Sequence, residues 1–418
     1  MKNVMRDPKD NTVTVLNDPG LLARLHEDVL TNPGTERALT GTRRALCLDP
    51  PPAATPLTAA LAAQGLLNEY AWPVTDDEAT ALVTAPAWVR AMYESSEPDP
   101  DLLDRARRIP ALTAVATESS TAVRHMYEAN PYPRWHRLGP GIPQELGVTL
   151  HELTGGAFDP SEFIRRPRLL VAGCGTGREI LSAARAWQPA SVTGFDLSRT
   201  SLAYAQRMAD RIGVDVELYQ ADLLELGDWD RRFDVIVCTG VLHHLDDPLA
   251  GWRILARLLR PGGVMLVGLY SSTARAGVKV AQALVRESGQ PPTPAGLRRA
   301  RALVMELPPG HPGRDCTRMG DFYSLSGARD MLCHVRERTF TLPDVAAALD
   351  DVGLEFLGFH SGEAARRLYR TLFGLQQRLA WWNTLEQLYP HMFLGMYQFW
   401  CRMPDLHQNV EVTNFATS

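Results

Sequence analysis

No stretch of the 418 residues is apolar for long enough to cross a membrane as a helix, which takes about 18 residues or more. The opening residues MKNVMRDPKDN lack the apolar core of a secretory signal, so none is expected. Basic charge is not in excess either: 43 Lys and Arg stand against 48 Asp and Glu, a net charge of −5. A protein that coats nucleic acid needs basic surface to displace counterions, so that function is disfavoured. The six cysteines (Cys47, Cys174, Cys238, Cys316, Cys333 and Cys401) form no CxxC pair. Neither a disulfide framework nor a metal site is expected, and a reducing cytoplasm is the expected location. Repeats and low-complexity tracts are also missing. What remains is an ordinary globular composition, 45% hydrophobic and 22% charged, long enough for two or three folding units.

Periodicity divides the chain into four segments. Residues 1–126 read as an α-helical N-terminal domain punctuated by prolines, with capping-box spacing at Thr75 to Glu78. Within 127–271, short apolar runs recur at 169–172, 192–195, 214–219, 233–238 and 264–269, mostly with helical stretches between them. Strand alternating with helix predicts a doubly wound, Rossmann-like α/β sheet covered on both faces. Residues 272–341 break the alternation with Arg-rich and Pro-rich stretches and a polar helix near 324–335. They read as an inserted lid or substrate region. Residues 342–418 return to the core, with a helix from Leu342, a strand at 354–359, a long amphipathic helix at 363–388 and an aromatic strand at 392–400. That last strand is expected to lie antiparallel beside the fifth, in a sheet otherwise mostly parallel.

The strongest chemical signal is Leu170-Val171-Ala172-Gly173-Cys174-Gly175-Thr176-Gly177, where a strand ends in glycines that let backbone approach a ligand. A dinucleotide fingerprint needs its third glycine one place later, where this chain has Arg178. Asp196 ends the second strand 19 residues after Gly177, a spacing suited to holding ribose hydroxyls. Nicotinamide dinucleotides and S-adenosyl-L-methionine both carry such a ribose. The acid alone leaves both open, and it also fits the cap of the next helix.

The ordered runs LLVAGCGTG, GFDLS, QADLLEL, FDVIVCTGVLHHLDDP and LLRPGGVMLVGLYS, across 168–271, resemble the motif set of class I S-adenosylmethionine-dependent methyltransferases. The resemblance implies that Gly173, Gly175 and Gly177, with Cys174 in the same loop, pack against the methionine part of S-adenosyl-L-methionine. It implies that Asp196, with Leu197 beside it, holds the ribose. It further implies that Asp222 and the Leu223 backbone bind adenine, and that the positions from Thr239 to Val241 line the transfer site. NEYAWPVTDDE, MYEANPYPRW, DFYSLSGARDMLCHVRERTFTLP and MYQFWC are similar to a bacterial methyltransferase group whose catalytic region often follows tetratricopeptide repeats, which this chain does not show.

Three places supply acceptor-side candidates. His243 follows the fourth strand and suits proton transfer near neutral pH. Tyr127 and Tyr132 sit in a Pro-stiffened segment and can offer aromatic faces to a sulfonium. Asp330, His334 and Glu337 are spaced to share one helix face in the insertion. His243, His334, Tyr127 and Asp330 are therefore the catalytic candidates, and Tyr132 joins the cofactor set. The expected reaction moves a methyl group in line to an N or O atom of a peptide, protein or peptide-like metabolite. A small secondary metabolite is the alternative acceptor, and a nicotinamide-dependent oxidoreductase is the other class. No nucleic-acid or membrane partner is expected.

Overall fold

The computed structural model describes residues 18–94, 100–115, 117–139, 141–360 and 362–405. The chain forms two compact units: Met1–Pro98 with Arg134–Arg137 and Gly277–His334, and Asp99–Pro133 with Leu138–Ala276 and Val335–Ser418.

The first unit is helical. Pro19–Glu27, Pro33–Leu48 and Pro56–Leu67 each begin with proline, whose missing N–H costs nothing in a first turn. Asp18 and Asn32 accept the N–H groups of Leu21 and Thr35, each at 2.9 Å, and so cap two of these helices. The capping box ahead of Asp76–Leu82 forms as the spacing predicts, with the Thr75 amide donating to Glu78 at 2.8 Å. The second carboxylate oxygen of Glu78 receives the buried Arg43 guanidinium at 3.2 Å and the Tyr93 hydroxyl at 2.6 Å. Leu25, Leu39, Leu61, Trp72, Val89 and Met92 pack the core of this unit.

The helices Pro294–Glu306 and Leu325–Cys333 belong to this unit, and one buried side chain shows why. Arg301 donates to Glu36 at 2.7 Å and to the carbonyls of Ala71 and Phe322, each at 2.6 Å. The inserted region therefore groups with the N-terminal helices, which sequence spacing did not indicate. Residues 100–129 group instead with the sheet. Gln220 exchanges hydrogen bonds with Pro110 and Leu112 at 2.8 and 2.9 Å, so that stretch lies along an edge strand. Both placements differ from the four-segment reading.

The second unit is a seven-stranded doubly wound sheet of β1 (Arg168–Ala172), β2 (Ser191–Asp196), β3 (Glu217–Gln220), β4 (Phe233–Thr239), β5 (Leu259–Leu269), β6 (Glu355–Phe359) and β7 (Tyr397–Arg402). The order is β3-β2-β1-β4-β5-β7-β6. β1 to β5 run parallel, and β7 is antiparallel to both β5 and β6. Both faces are covered, which is why β1 and β4 are buried along almost their whole length rather than at alternate residues. Strand order reverses between β1 and β4, and the crevice at the carboxyl ends of those strands is where such sheets bind ligands. Among the described residues no helix is long and apolar enough to cross a membrane.

Three local expectations are corrected. The helix expected at 363–388 is two helices, Glu363–Phe373 and Leu379–Leu388, because Gly374 ends the first at φ +80°. The aromatic strand starts at Tyr397 rather than 392. The helix near 324–335 stops at Cys333, and the backbone turns extended at His334. Glu337 therefore lies past the helix end, and no helix face joins it to Asp330 and His334.

The far end of the sheet is packed by rings around Phe359, which lies 4.6 Å from Phe393, 5.0 Å from Trp382 and 5.8 Å from Phe399 between centroids. Phe359→Ala leaves a cavity with rigid aromatic walls. Denaturant unfolding should show the second unit losing about 3–5 kcal/mol.

Candidate active site

The loop after β1 turns left-handed where side chains have no room. Gly173 lies at φ +66°, and a Cβ there would sit 2.2 Å from Val241 Cγ2. Gly175 lies at φ +50°, and its Cβ would meet the Tyr132 carbonyl oxygen at 2.9 Å. Backbone thus occupies the tip of β1, with the loop after β4 on one side and residues 132–133 on the other. The Thr176 hydroxyl ties the second of these by donating to the Pro133 carbonyl. Gly177 caps the helix Arg178–Trp187. Cys174 donates its amide to the Phe195 carbonyl at 3.0 Å. Burial pushes its thiol well above the usual range, so the sulfur packs and does not react.

Three carboxylates stand around this crevice, Asp222 buried and Asp196 and Glu179 half-buried. Asp196, at the end of β2, accepts the Gly175 amide on Oδ2 and the Ser198 amide on Oδ1, each at 2.9 Å. Burial raises its pKa to about 6 against the opposing pull of those amides, and the nearby Glu128 carboxylate adds to the rise. The Leu197 amide also faces this carboxylate, which keeps acceptor capacity for a further donor. Asp222, just past β3, caps the turn Leu223–Glu225 by accepting the Leu224 amide on Oδ1 at 3.1 Å. Its Oδ2 is buried without a hydrogen-bond partner. Such a group costs free energy unless something else satisfies it. Glu179 lies in the first turn after the glycines and accepts the hydroxyl of Thr239 at the tip of β4. Burial lifts its pKa to about 7.

His243 and His244 lie on the short turn Leu242–His244 after β4 rather than on a strand end. His243 is fully buried, and its carbonyl accepts the Arg338 amide at 2.9 Å. His244 Nδ1 contacts the Arg336 carbonyl at 2.7 Å, so Nδ1 must carry the proton. Burial, with Arg275 nearby, depresses the His244 pKa to about 4 and keeps the ring neutral at physiological pH.

Of the residues singled out in the sequence, Gly173, Cys174, Gly175, Gly177, Asp196, Thr239 and Tyr132 gather around one loop. Leu197 follows Asp196 and offers its carbonyl to Gln220 at 2.9 Å. Leu223 starts the turn capped by Asp222. Tyr127 is half-buried on the helix Glu118–Ala129 of the sheet unit. Asp330 is buried on Leu325–Cys333 and His334 is half-buried at its end, both in the first unit. Sequence reading missed Glu179 and Glu128. Glu128 accepts the Arg199 and Thr200 amides at 2.8 and 3.1 Å and so caps the helix after Asp196. The acid two places past the third glycine was the available signal for Glu179. Nothing local marks Glu128, whose partners lie 71 and 72 residues away.

Residues 169–263 match the family model described as a methyltransferase domain. That stretch of the chain is thus similar to a methyltransferase domain. An uncharacterised protein of Synechococcus sp. is 31% identical over 273 residues, covering 62% of this chain and 64% of that protein. The ubiquinone biosynthesis O-methyltransferase of Alkalilimnicola ehrlichii is 39% identical over 97 residues, 23% of this chain and 38% of the relative. The chain thus spans less than two thirds of either relative. A solved structure, PKMT2 from Rickettsia typhi with AdoHcy, aligns at a TM-score of 0.49 and 18% identity over 65% of this chain and 54% of its own. S-Adenosyl-L-methionine is the cofactor of a domain of this family.

Gly173→Ala places a methyl inside the Val241 side chain and should abolish binding of S-adenosylhomocysteine in calorimetry. The double substitution with Val241→Ala restores space but not the φ angle, and should recover only part of it. Affinity for that nucleoside should also fall as pH drops through about 6. Protonated Asp196 offers fewer acceptor sites to ribose hydroxyls, so ligand binding holds the ionised form; Asp196→Asn should remove this acid limb.

Proposed function

We propose that this protein transfers the methyl group of S-adenosyl-L-methionine to an N or O atom of a peptide, protein or peptide-like acceptor. The observation that carries the reading is the orphaned Oδ2 of Asp222, buried just past β3 on the ligand edge of the sheet. An exocyclic amine such as that of adenine satisfies it, while Asp196 takes the ribose hydroxyls and Gly173 to Gly177 line the methionine arm. Glu179, near neutrality in its proton affinity, suits the α-ammonium end of the cofactor. The cofactor supplies an activated methyl on a sulfonium, displaced in line.

The chain's own task is mostly placement. Holding two reactants aligned removes about 7–11 kcal/mol of barrier in favourable model systems. A base is needed only where the acceptor must lose a proton. His243, at the ligand edge after β4, is the group proposed for that step, with Tyr127 and Tyr132 at the cofactor. The peptide-like acceptor is favoured by the size of the first unit, which combines N-terminal and inserted helices. The name of the ubiquinone-pathway relatives favours a second reading, O-methylation of a small metabolite.

Thermal shift with S-adenosylhomocysteine and with NAD checks the cofactor. Only the former should raise the melting temperature, because a ligand stabilises the state that binds it. Asp222→Asn should weaken S-adenosylhomocysteine at least tenfold and largely keep the unliganded melting temperature, since the amide oxygen still caps the Leu224 amide while a donor replaces the free acceptor. Transfer of tritium from labelled cofactor into fractionated extract checks the reaction, and label confined to peptides or to small molecules decides between the acceptors.

A further inference from the structure

Behind His243 stands a column of buried groups that neither the cofactor site nor the glycine loop uses. The His243 ring stacks on Tyr270 with centroids 3.9 Å apart and planes 29° from parallel. The Arg275 guanidinium lies 3.6 Å from the centroid of the same Tyr270 ring. Both distances are possible only over a ring face, and one face cannot hold both groups. Imidazole and guanidinium therefore sandwich the phenol ring. Arg275 is in turn held by Glu337 in two contacts, Nε to Oε1 at 3.2 Å and Nη2 to Oε2 at 2.5 Å. His243, Tyr270 and Arg275 are each at most 8% exposed, and the Glu337 side chain is 7% exposed.

The backbone sets this column from both ends. Arg338 donates its amide to the His243 carbonyl at 2.9 Å, and Phe340 donates to the Tyr270 carbonyl at 2.8 Å. Glu337 is thus carried on an extended segment laced to both members of the stack. Burying an ion pair is a poor way to gain stability, because desolvation offsets much of the attraction. A planar, bidentate guanidinium is a good way to fix the orientation of a ring beside it.

We propose that Glu337, Arg275 and Tyr270 are positioning residues that hold the His243 imidazole as the proton acceptor for a hydroxyl-bearing substrate. The proposal rests on the methyltransferase reading and narrows its acceptor to a protic oxygen. The acceptor oxygen bonds to the methyl carbon and its O–H proton passes to a His243 ring nitrogen. The C–S bonding pair stays on sulfur, leaving S-adenosylhomocysteine. Acceptors without a proton to lose, such as thioethers, gain nothing from the column.

The charges around His243 within the sheet unit are Arg275 and Glu337, with the Arg336–Asp246 pair and the neutral His244 ring at its edge. The two column charges pull its proton affinity in opposite directions, which gives the test. Glu337→Gln leaves Arg275 uncompensated and disfavours imidazolium. Arg275→Gln leaves Glu337 uncompensated and favours it. Histidine NMR titration of the full chain, with the His243 signal assigned by its loss in His243→Gln, should show the pKa falling in the first variant and rising in the second, each by about half a unit or more. Where a single variant fails to fold, the charge-free Arg275→Gln/Glu337→Gln pair is compared with the wild type and should titrate near it.

S-Adenosylhomocysteine calorimetry separates this proposal from the reading beneath it. Absence of binding by the wild type overturns the methyltransferase reading. Normal binding with shifts that are absent, or of one sign in both variants, overturns the column alone. With tritiated cofactor and a panel of catechols, alcohols and thioethers, label should enter hydroxyl compounds only. The acid limb of kcat should then move with the NMR pKa in each variant. Labelling of thioethers in preference to hydroxyls also overturns the proposal.

Discussion

The sheet unit depends on a backbone that must occupy space no side chain can share. Between β1 and the helix Arg178–Trp187 the chain turns left-handed at Gly173 and again at Gly175, with Val241 against one and the Tyr132 carbonyl against the other. Any β-carbon there pushes apart three segments brought together from residues 132–133, 173–177 and 239–241. The adjacency of β1 and β4 puts Val241 in place, and the Thr176–Pro133 hydrogen bond keeps residues 132–133 down. The crevice at the strand-order reversal is therefore formed by close approach of main chain, and the helices behind it serve to hold that approach.

The enclosed and half-buried acids divide into two kinds on this scaffold. Glu36, Glu78 and Glu337 each face an arginine within 3.2 Å, and their charge is spent inside the fold. Asp196, Asp222 and Glu179 have no such cation among the described residues and live on amides and hydroxyls. Low-dielectric burial without a counter-charge raises proton affinity, as it does for Asp196 and Glu179. Acids without a counter-charge, at the tips of β2 and β3 and in the first turn after the glycine loop, mark a place prepared for donors brought by a ligand. The same contrast separates His243, backed by an aromatic and a guanidinium, from His244, whose ring is anchored by the Arg336 carbonyl.

Much of this was legible in the linear order of residues. Short apolar runs joined by helical stretches specify a parallel sheet, because strands buried on both faces cannot alternate. The glycines, Asp196 and Asp222 stand at the ends of those runs, and the carboxyl end of a parallel strand faces the ligand edge wherever the strand lies in the sheet. Thr75 and Glu78 are three residues apart, so their capping box is a local matter. Local signals failed where one residue outweighed a longer pattern, as Gly374 does within 363–388.

The sequence by itself thus determined the elements and the residues at their tips, since both follow from short-range sterics and from which side chains leave water. Only the tertiary structure decided which distant segments share a unit and which charges meet. Arg301 reaches Glu36 across 265 residues, and Glu337 reaches Arg275 across 62. No periodicity encodes such pairings, because an ion pair depends on separation in space and is indifferent to separation along the chain. The grouping of 277–334 with the N-terminal helices, and the column behind His243, exist only once the chain has closed on itself.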